Sequence, residues 1–150
     1  MSIEDSYNFK AINPALTTSG VVSEEQLRQL SAQGYRQLIN LLPNGSEYST
    51  NNEQHLVESQ KITYVYIPVD FSNPTPADYQ AFADAMIANS NLKTHIHCAA
   101  NYRVSAFFGI YAHQQLNWSP EQVRQHIESL WKPEEHAAWR ALLQQYIDGY

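Results

Sequence analysis

The stretch Lys93-Thr-His-Ile-His-Cys-Ala-Ala-Asn-Tyr-Arg103 decides how this chain is read. Lys93–His97 is a short strand-like run that ends at Cys98, the chain's single cysteine. Arg103 closes a tight loop, and Val104–Gln115 follows at once as an apolar helix-like segment. Strand, cysteine, tight loop, arginine and helix together describe an anion cradle. A helix N-terminus presents unpaired N–H groups and a partial positive charge. A guanidinium at the loop's end adds a planar fork of donors matched to phosphate oxygens. Both features also favour a thiolate over a thiol, so the arrangement that binds an anion activates a nucleophile.

Upstream, Thr75-Pro76 opens a helix that runs to about Ala88, since proline is welcome at the first helical position. Ile62–Val69 and Tyr35–Leu42 read as strands, the second ended by the turn Pro43-Asn-Gly45. Asn52–Gln60 reads as a short helix between them. Ser23 with Gln26 forms a capping box for a helix that carries Leu27 and Leu30 and stops near Gly34. Phe9–Asn13 and Ala15–Thr18 are short strands around Pro14. Downstream, Ser119-Pro-Glu-Gln122 is another capping box, and a last helix begins near Pro133. Strands alternating with helices predict an α/β fold: a central, largely parallel sheet flanked by helices. In such sheets ligands sit outside the carboxyl ends of the strands. The Cys98 loop falls at that edge. Asp70 also follows a strand, so the two can meet there.

At 150 residues the chain is expected to be a single domain, 1–150, with a real hydrophobic core. A formal charge of -6 and nine Lys and Arg without a basic block argue against a nucleic-acid partner. One cysteine excludes an intramolecular disulfide and a resolving-cysteine redox cycle. The start, Met1 to Tyr7, lacks the basic and apolar regions of a signal peptide, and no window has the length of a membrane span. The expectation is a cytoplasmic protein with no membrane partner, in a reducing compartment that keeps Cys98 reduced.

His97-Cys98 and Arg103 resemble the signature loop of the cysteine-dependent protein tyrosine and dual-specificity phosphatases, whose usual pattern is His-Cys, five residues, Arg, then Ser or Thr. Here four residues separate Cys98 from Arg103. That shorter loop is similar to a bacterial phosphatase subfamily related to the phosphatase-like domain of beta-lactamase-hydrolase-like proteins. Leu16-Thr-Thr-Ser-Gly20, Ser23-Glu-Glu-Gln-Leu27, Gly34-Tyr35 with Ile39-Asn-Leu41, and Tyr64-Val-Tyr-Ile-Pro-Val-Asp70 resemble that subfamily's successive blocks. The resemblance covers roughly the first three quarters of the chain. It implies attack of the Cys98 thiolate on phosphorus to give a cysteinyl-phosphate. Arg103 and the N–H groups of Ala99, Ala100, Asn101, Tyr102, Arg103 and Val104 would hold the phosphoryl oxygens. Asp70 would serve as general acid and then general base. No metal or other cofactor is implied. The partners implied are a phosphorylated small molecule or phosphoprotein, and a phosphate or sulfate ion in the loop.

Three positions depart from the pattern. Asn101 stands at the family's loop glycine, where a positive φ is needed; asparagine tolerates that better than most residues, but its side chain could crowd the phosphate. Val104 stands where a hydroxyl assists departure of the thiolate, and Ser105, one residue on, is the candidate substitute. Leu42 stands where the subfamily often has a basic residue.

Each site residue also has a plainer role. A lone cysteine is commonly a small core residue. Asp70 precedes Ser-Asn-Pro and could be only a turn former. Asp78 is the competing carboxylate but sits in a helix's first turn, which suggests a structural residue. His95 and His97 could share a strand face, yet a zinc site would lack a fourth ligand and would consume Cys98. His97 is expected instead to orient the cysteine or its loop. His113, His126 and His136 are expected on helix surfaces, and Phe107, Phe108, Ile110 and Tyr111 in the core. Besides the phosphatase, two functions remain open. One is a rhodanese-like sulfurtransferase, which uses a cysteine and a loop about one residue shorter than the phosphatase loop. The other is a phosphate-binding module with weak or no catalysis.

Overall fold

A computed structural model describes residues 1–150. Five strands, β1 (Lys10–Asn13), β2 (Leu16–Ser19), β3 (Gln37–Asn40), β4 (Thr63–Tyr66) and β5 (Thr94–His97), form one sheet in the order β1-β2-β5-β3-β4. Only the β1–β2 hairpin around Pro14 is antiparallel; the other pairings are parallel. The α/β class with a largely parallel sheet is therefore correct. β5 is central and buried at every position, as a strand covered on both faces must be. Ser19 and Asn40 both align with His97, so β2, β3 and β5 end flush where Cys98 emerges.

Alternation along the strands feeds two cores. Leu38, with Val22, Leu27, Leu30, Tyr35, Val57 and Ile62, packs under α1 (Glu24–Arg28) and α2 (Glu53–Glu58). Ile39 and Ile96 face the larger core under α3 (Pro76–Ala88), α4 (Tyr102–Gln115), α5 (Pro120–Glu128) and α6 (Ala137–Tyr146). Phe82, Phe107, Phe108 and Trp139 are fully buried there, each contributing on the order of 1.5–3 kcal/mol. Gly109 lets α5 approach α4 closely, since a Cβ there would meet Val123 Cγ1 at 2.7 Å.

The capping boxes at Ser23, Thr75 and Ser119 all form. Three local expectations need correction. The helix after Ser23 tightens at once into i→i+3 bonds (Gln29 N–H to Gln26 O, Leu30 N–H to Leu27 O), so α1 ends at Arg28, short of Gly34. Pro133 starts only a 3₁₀ turn; extended backbone at His136 separates it from α6. His126 is not a surface residue. It is buried between the rings of Phe108 and Trp118, and burial lowers its pKa to about 4. No helix is long and apolar enough to cross a membrane.

Candidate active site

The loop from Cys98 to Asn101 joins the end of β5 to α4. Its backbone divides into two sets of groups. The carbonyls are all held by the protein. Cys98 O faces His97 Nδ1 (3.3 Å), Ala99 O accepts from Val21 N–H (2.9 Å), and Ala100 O accepts from Asn8 Nδ2 (3.0 Å). Asn101 O accepts from Ser105 N–H (3.0 Å), and Tyr102 O from the Ser105 hydroxyl (3.1 Å). In a planar trans peptide the C=O and the following N–H point in opposite directions. Anchoring those carbonyls outward therefore turns the N–H groups of Ala99, Ala100, Asn101, Tyr102 and Arg103 the other way. Every N–H from Ala99 to Val104 is without an acceptor in the protein. The last three belong to the first turn of α4, where no intrahelical acceptor exists.

Asn101 caps α4 at φ 69°, the left-handed conformation expected of the residue at the glycine position. The feared crowding is absent. Its side-chain amide turns to the N-terminal segment, donating to Asn8 O (2.9 Å) and Thr18 Oγ1 (3.0 Å). Its Oδ1 is buried without a partner, which costs about 1–3 kcal/mol. Gly20 lies against the loop: a Cβ there would sit 2.5 Å from Ala99 O, so no larger residue fits without moving the loop.

Cys98 has no exposed surface, yet it lines a shallow depression of about 140 Å³ with Phe71, Ala99, Ala100, Tyr102 and Arg103. A larger hollow of about 380 Å³ between β1 and α5 lies away from the cysteine. Arg103 makes no hydrogen bond or ion pair with the protein, and its Nε is buried without a partner. The Phe71 ring supports the guanidinium, with Cζ 5.4 Å from the ring centroid. Phe71 is in turn fixed among Trp131, His136 and Trp139, and its carbonyl accepts from Trp139 Nε1 (2.8 Å).

Asp70 precedes Phe71 and is exposed. Its Oδ1 accepts from the Ser72 hydroxyl (2.7 Å) and the Ser72 N–H (2.9 Å), and its carbonyl accepts from Asn73 N–H. It is thus a turn former, and also close enough to Arg103 to feel its charge. The Ser72 bonds, chiefly the hydroxyl, hold its carboxyl below the usual range, and Arg103 adds to this. Asp78 reciprocates the Thr75 cap (3.1 Å each way) and serves the start of α3.

His97 is buried, with Nε2 2.7 Å from Glu53 Oε2 and Nδ1 facing Cys98 O. Glu53 also accepts from Tyr64 OH (3.1 Å), which accepts from Asn40 Nδ2 (3.0 Å). This chain of bonds ties the cysteine's own peptide to α2, β3 and β4. His95 bonds Thr17 Oγ1 and Ser19 Oγ (2.8 Å each), and burial keeps it neutral by lowering its pKa. Val104 is buried in the core, as is Leu42. The Ser105 hydroxyl is committed to Tyr102 O and accepts from Trp131 Nε1 (3.0 Å), so it supports the loop's backbone and the Tyr102–Trp131 stack and has no proton free for a thiolate. Sequence reasoning missed Glu53, Asn8 and Val21. None belongs to a local pattern; the one available signal was that an asparagine in the glycine position needs partners for its amide.

No family model matches the chain. Over 102 residues it is 30% identical to the beta-lactamase hydrolase-like protein of Xylella fastidiosa, covering 66% of this chain but 23% of that protein. The chain thus spans about a quarter of the length of the curated relatives it matches. Among solved structures, a "putative phosphatase (DUF442)" of Shewanella putrefaciens CN-32 superposes with a TM-score of 0.87 at 33% identity, covering 99% of this chain and 94% of that one. The core catalytic domain of the PP-IP phosphatase SIW14 of S. cerevisiae superposes at 0.76 with 16% identity, covering 96% and 88%. TpbA of P. aeruginosa, in complex with pTyr, superposes at 0.73 with 11% identity, covering 94% and 85%. At those lower identities the likeness is one of fold.

Proposed function

The chain belongs to the DUF442 family of protein tyrosine phosphatase-like proteins, and on that premise we propose that it is a cysteine-dependent phosphatase acting on phosphomonoesters. The observation that carries this is the set of donors without protein acceptors around Cys98: the N–H groups from Ala99 to Val104, and Arg103. Buried donors are normally paired, so a convergent set that is not suits an anionic ligand. A phosphoryl group seated there would take two oxygens from the guanidinium fork and the rest from the loop. The Cys98 sulfur would attack phosphorus as the ester oxygen leaves, forming an S–P bond as the P–O bond breaks. Asp70 would give its proton to the leaving oxygen. As carboxylate it would then take a proton from the water that cleaves the S–P bond, returning thiolate and inorganic phosphate. The loop donors hold the equatorial oxygens through both steps, which is where their electrostatic contribution lies.

A general acid must carry its proton, and in the free protein Ser72 and Arg103 favour the Asp70 carboxylate. A phosphoryl dianion bound to Arg103 neutralises one of those influences and repels a carboxylate nearby, which raises the carboxyl's pKa when it is needed. Without that rise the loop would bind phosphate and cleave esters poorly, so the Asp70–Ser72 bonds favour the binding module as the second candidate. The depression is shallow, with aromatic walls and one cation, Arg103. That suits one phosphoryl group on a small molecule or an accessible protein side chain. A single thiol nucleophile suits a reducing cytoplasm.

The purified protein is expected to hydrolyse an aryl phosphate and to transfer no sulfur from thiosulfate to cyanide, with hydrolysis lost in Cys98→Ser. Sulfur transfer without hydrolysis would identify the sulfurtransferase instead.

A further inference from the structure

We propose that Asn8 is a positioning residue of the phosphate loop, setting the direction of the Asn101 N–H by holding the Ala100 carbonyl. The proposal rests on the loop being an oxyanion cradle. Asn8 lies 92 residues before Ala100 in the chain, yet its Nδ2 donates to Ala100 O at 3.0 Å. The Ala100–Asn101 peptide is planar, so a carbonyl fixed toward Asn8 fixes the Asn101 N–H toward the opposite side, where the other unpaired loop donors lie.

The contact is reciprocal. Asn101 Nδ2 donates back to Asn8 O at 2.9 Å. Both residues hold left-handed backbone, φ 52° at Asn8 and 69° at Asn101, a conformation asparagine adopts more readily than other non-glycine residues. Tyr7 O accepts from Gly20 N–H at 2.7 Å, so the segment before β1 is tied to the strand beside the loop. Among the anchors of the loop carbonyls, those at Cys98, Asn101 and Tyr102 come from the loop's immediate neighbours in sequence, and the one at Ala99 comes from a backbone N–H. Asn8 is the one side chain brought in from a distant segment. Glycine at position 101 would need no such strap, but asparagine has an amide that must be placed, and Asn8 both receives it and sets the neighbouring peptide.

The test is calorimetric titration of inorganic phosphate into the full chain, with thermal unfolding followed in parallel. Asn8→Gly keeps the positive φ and removes the donor. Thr18→Val removes the other acceptor of the Asn101 amide and keeps the Asn8–Ala100 bond. Phosphate affinity should fall by about ten- to a hundredfold in Asn8→Gly, the scale of one charge-assisted hydrogen bond, and by less than about threefold in Thr18→Val. Both variants should unfold at lower temperature. A merely structural strap would lower the unfolding temperature in both and leave phosphate affinity alone, or lower affinity equally in both; either result overturns the proposal. Should Asn8→Gly fail to fold, Asn8→Asp keeps the shape without the donor. At about 1 M salt, where its added charge is screened, native phosphate affinity in that variant overturns the proposal and a tenfold loss supports it. If the wild-type chain binds no phosphate, the cradle itself fails, and the loss belongs to the proposed function as well as to Asn8.

Discussion

Arg103→Lys is expected to lower turnover of an aryl phosphate by about 10²–10³-fold, nearly as far as Arg103→Ala. Lysine keeps the charge but is a single point, and it cannot make two parallel bonds to two phosphoryl oxygens. The position is suited to such a fork. Arg103 has no protein carboxylate or carbonyl to satisfy, so its donors are free for substrate. Its orientation comes from the ring of Phe71, itself locked by Trp139 Nε1 at the backbone. The contact of the guanidinium with the Phe71 ring is a second thing that a lysine ammonium does not reproduce in shape. Neither variant breaks an internal hydrogen bond or ion pair, so the unfolding temperature should change little. Steady-state kinetics beside a thermal melt checks this. Near-native turnover in Arg103→Lys would mean that charge alone is required and that no bidentate clamp operates.

Asp70→Asn is expected to slow hydrolysis of alkyl or tyrosyl phosphates by roughly 10²–10⁴-fold, the usual scale of general acid catalysis. Nitrophenyl phosphate should suffer far less, because nitrophenolate departs without a proton. The substitution is a clean one. Asparagine keeps an oxygen to accept both Ser72 bonds, so the turn that carries Phe71 to Arg103 should persist. The pH dependence has a definite sign. In the free protein Ser72 and Arg103 hold the carboxyl low, so its proton is lost in the acid range. The wild-type kcat/KM should therefore fall from acidic toward neutral pH, and this slope should flatten in Asp70→Asn. Equal slowing of good and poor leaving groups would return Asp70 to the role of turn former. Asp78 would be a poor replacement, since its carboxylate is occupied at the Thr75 cap.

The sheet and the loop were legible because their signals are local. Buried strands bounded by turns, and the proline-marked start of α3, each need only a short window. The same holds for Cys98 and Arg103, whose spacing and position between a strand and a helix sufficed to suggest a cradle. The positive φ of Asn101 followed from the glycine it stands for. What holds the loop in shape was not legible. Glu53 reads in sequence as an ordinary acid in a helix's first turn, yet it is buried against His97 because β3, β4 and α2 converge there. Asn8 reads as a polar residue before a strand. Its contact with Ala100 exists only because β2 pairs with β5 in a register no local pattern specifies. The Ser105 hydroxyl gives its proton to Tyr102 O within its own helix turn, while the bond it accepts from Trp131 comes from a segment whose path over α4 is set by packing. Burial of His126 likewise depends on how closely Gly109 admits α5.

If Cys98 takes the phosphoryl group, the adduct can be trapped by rapid acid quench during turnover of an aryl phosphate and located by peptide mass analysis. One phosphoryl group is expected on the peptide containing Cys98 in the wild-type chain, and none with Cys98→Ser, which should also lack turnover. Steady hydrolysis that leaves no adduct on Cys98 and survives in Cys98→Ser would contradict phosphoryl transfer to Cys98.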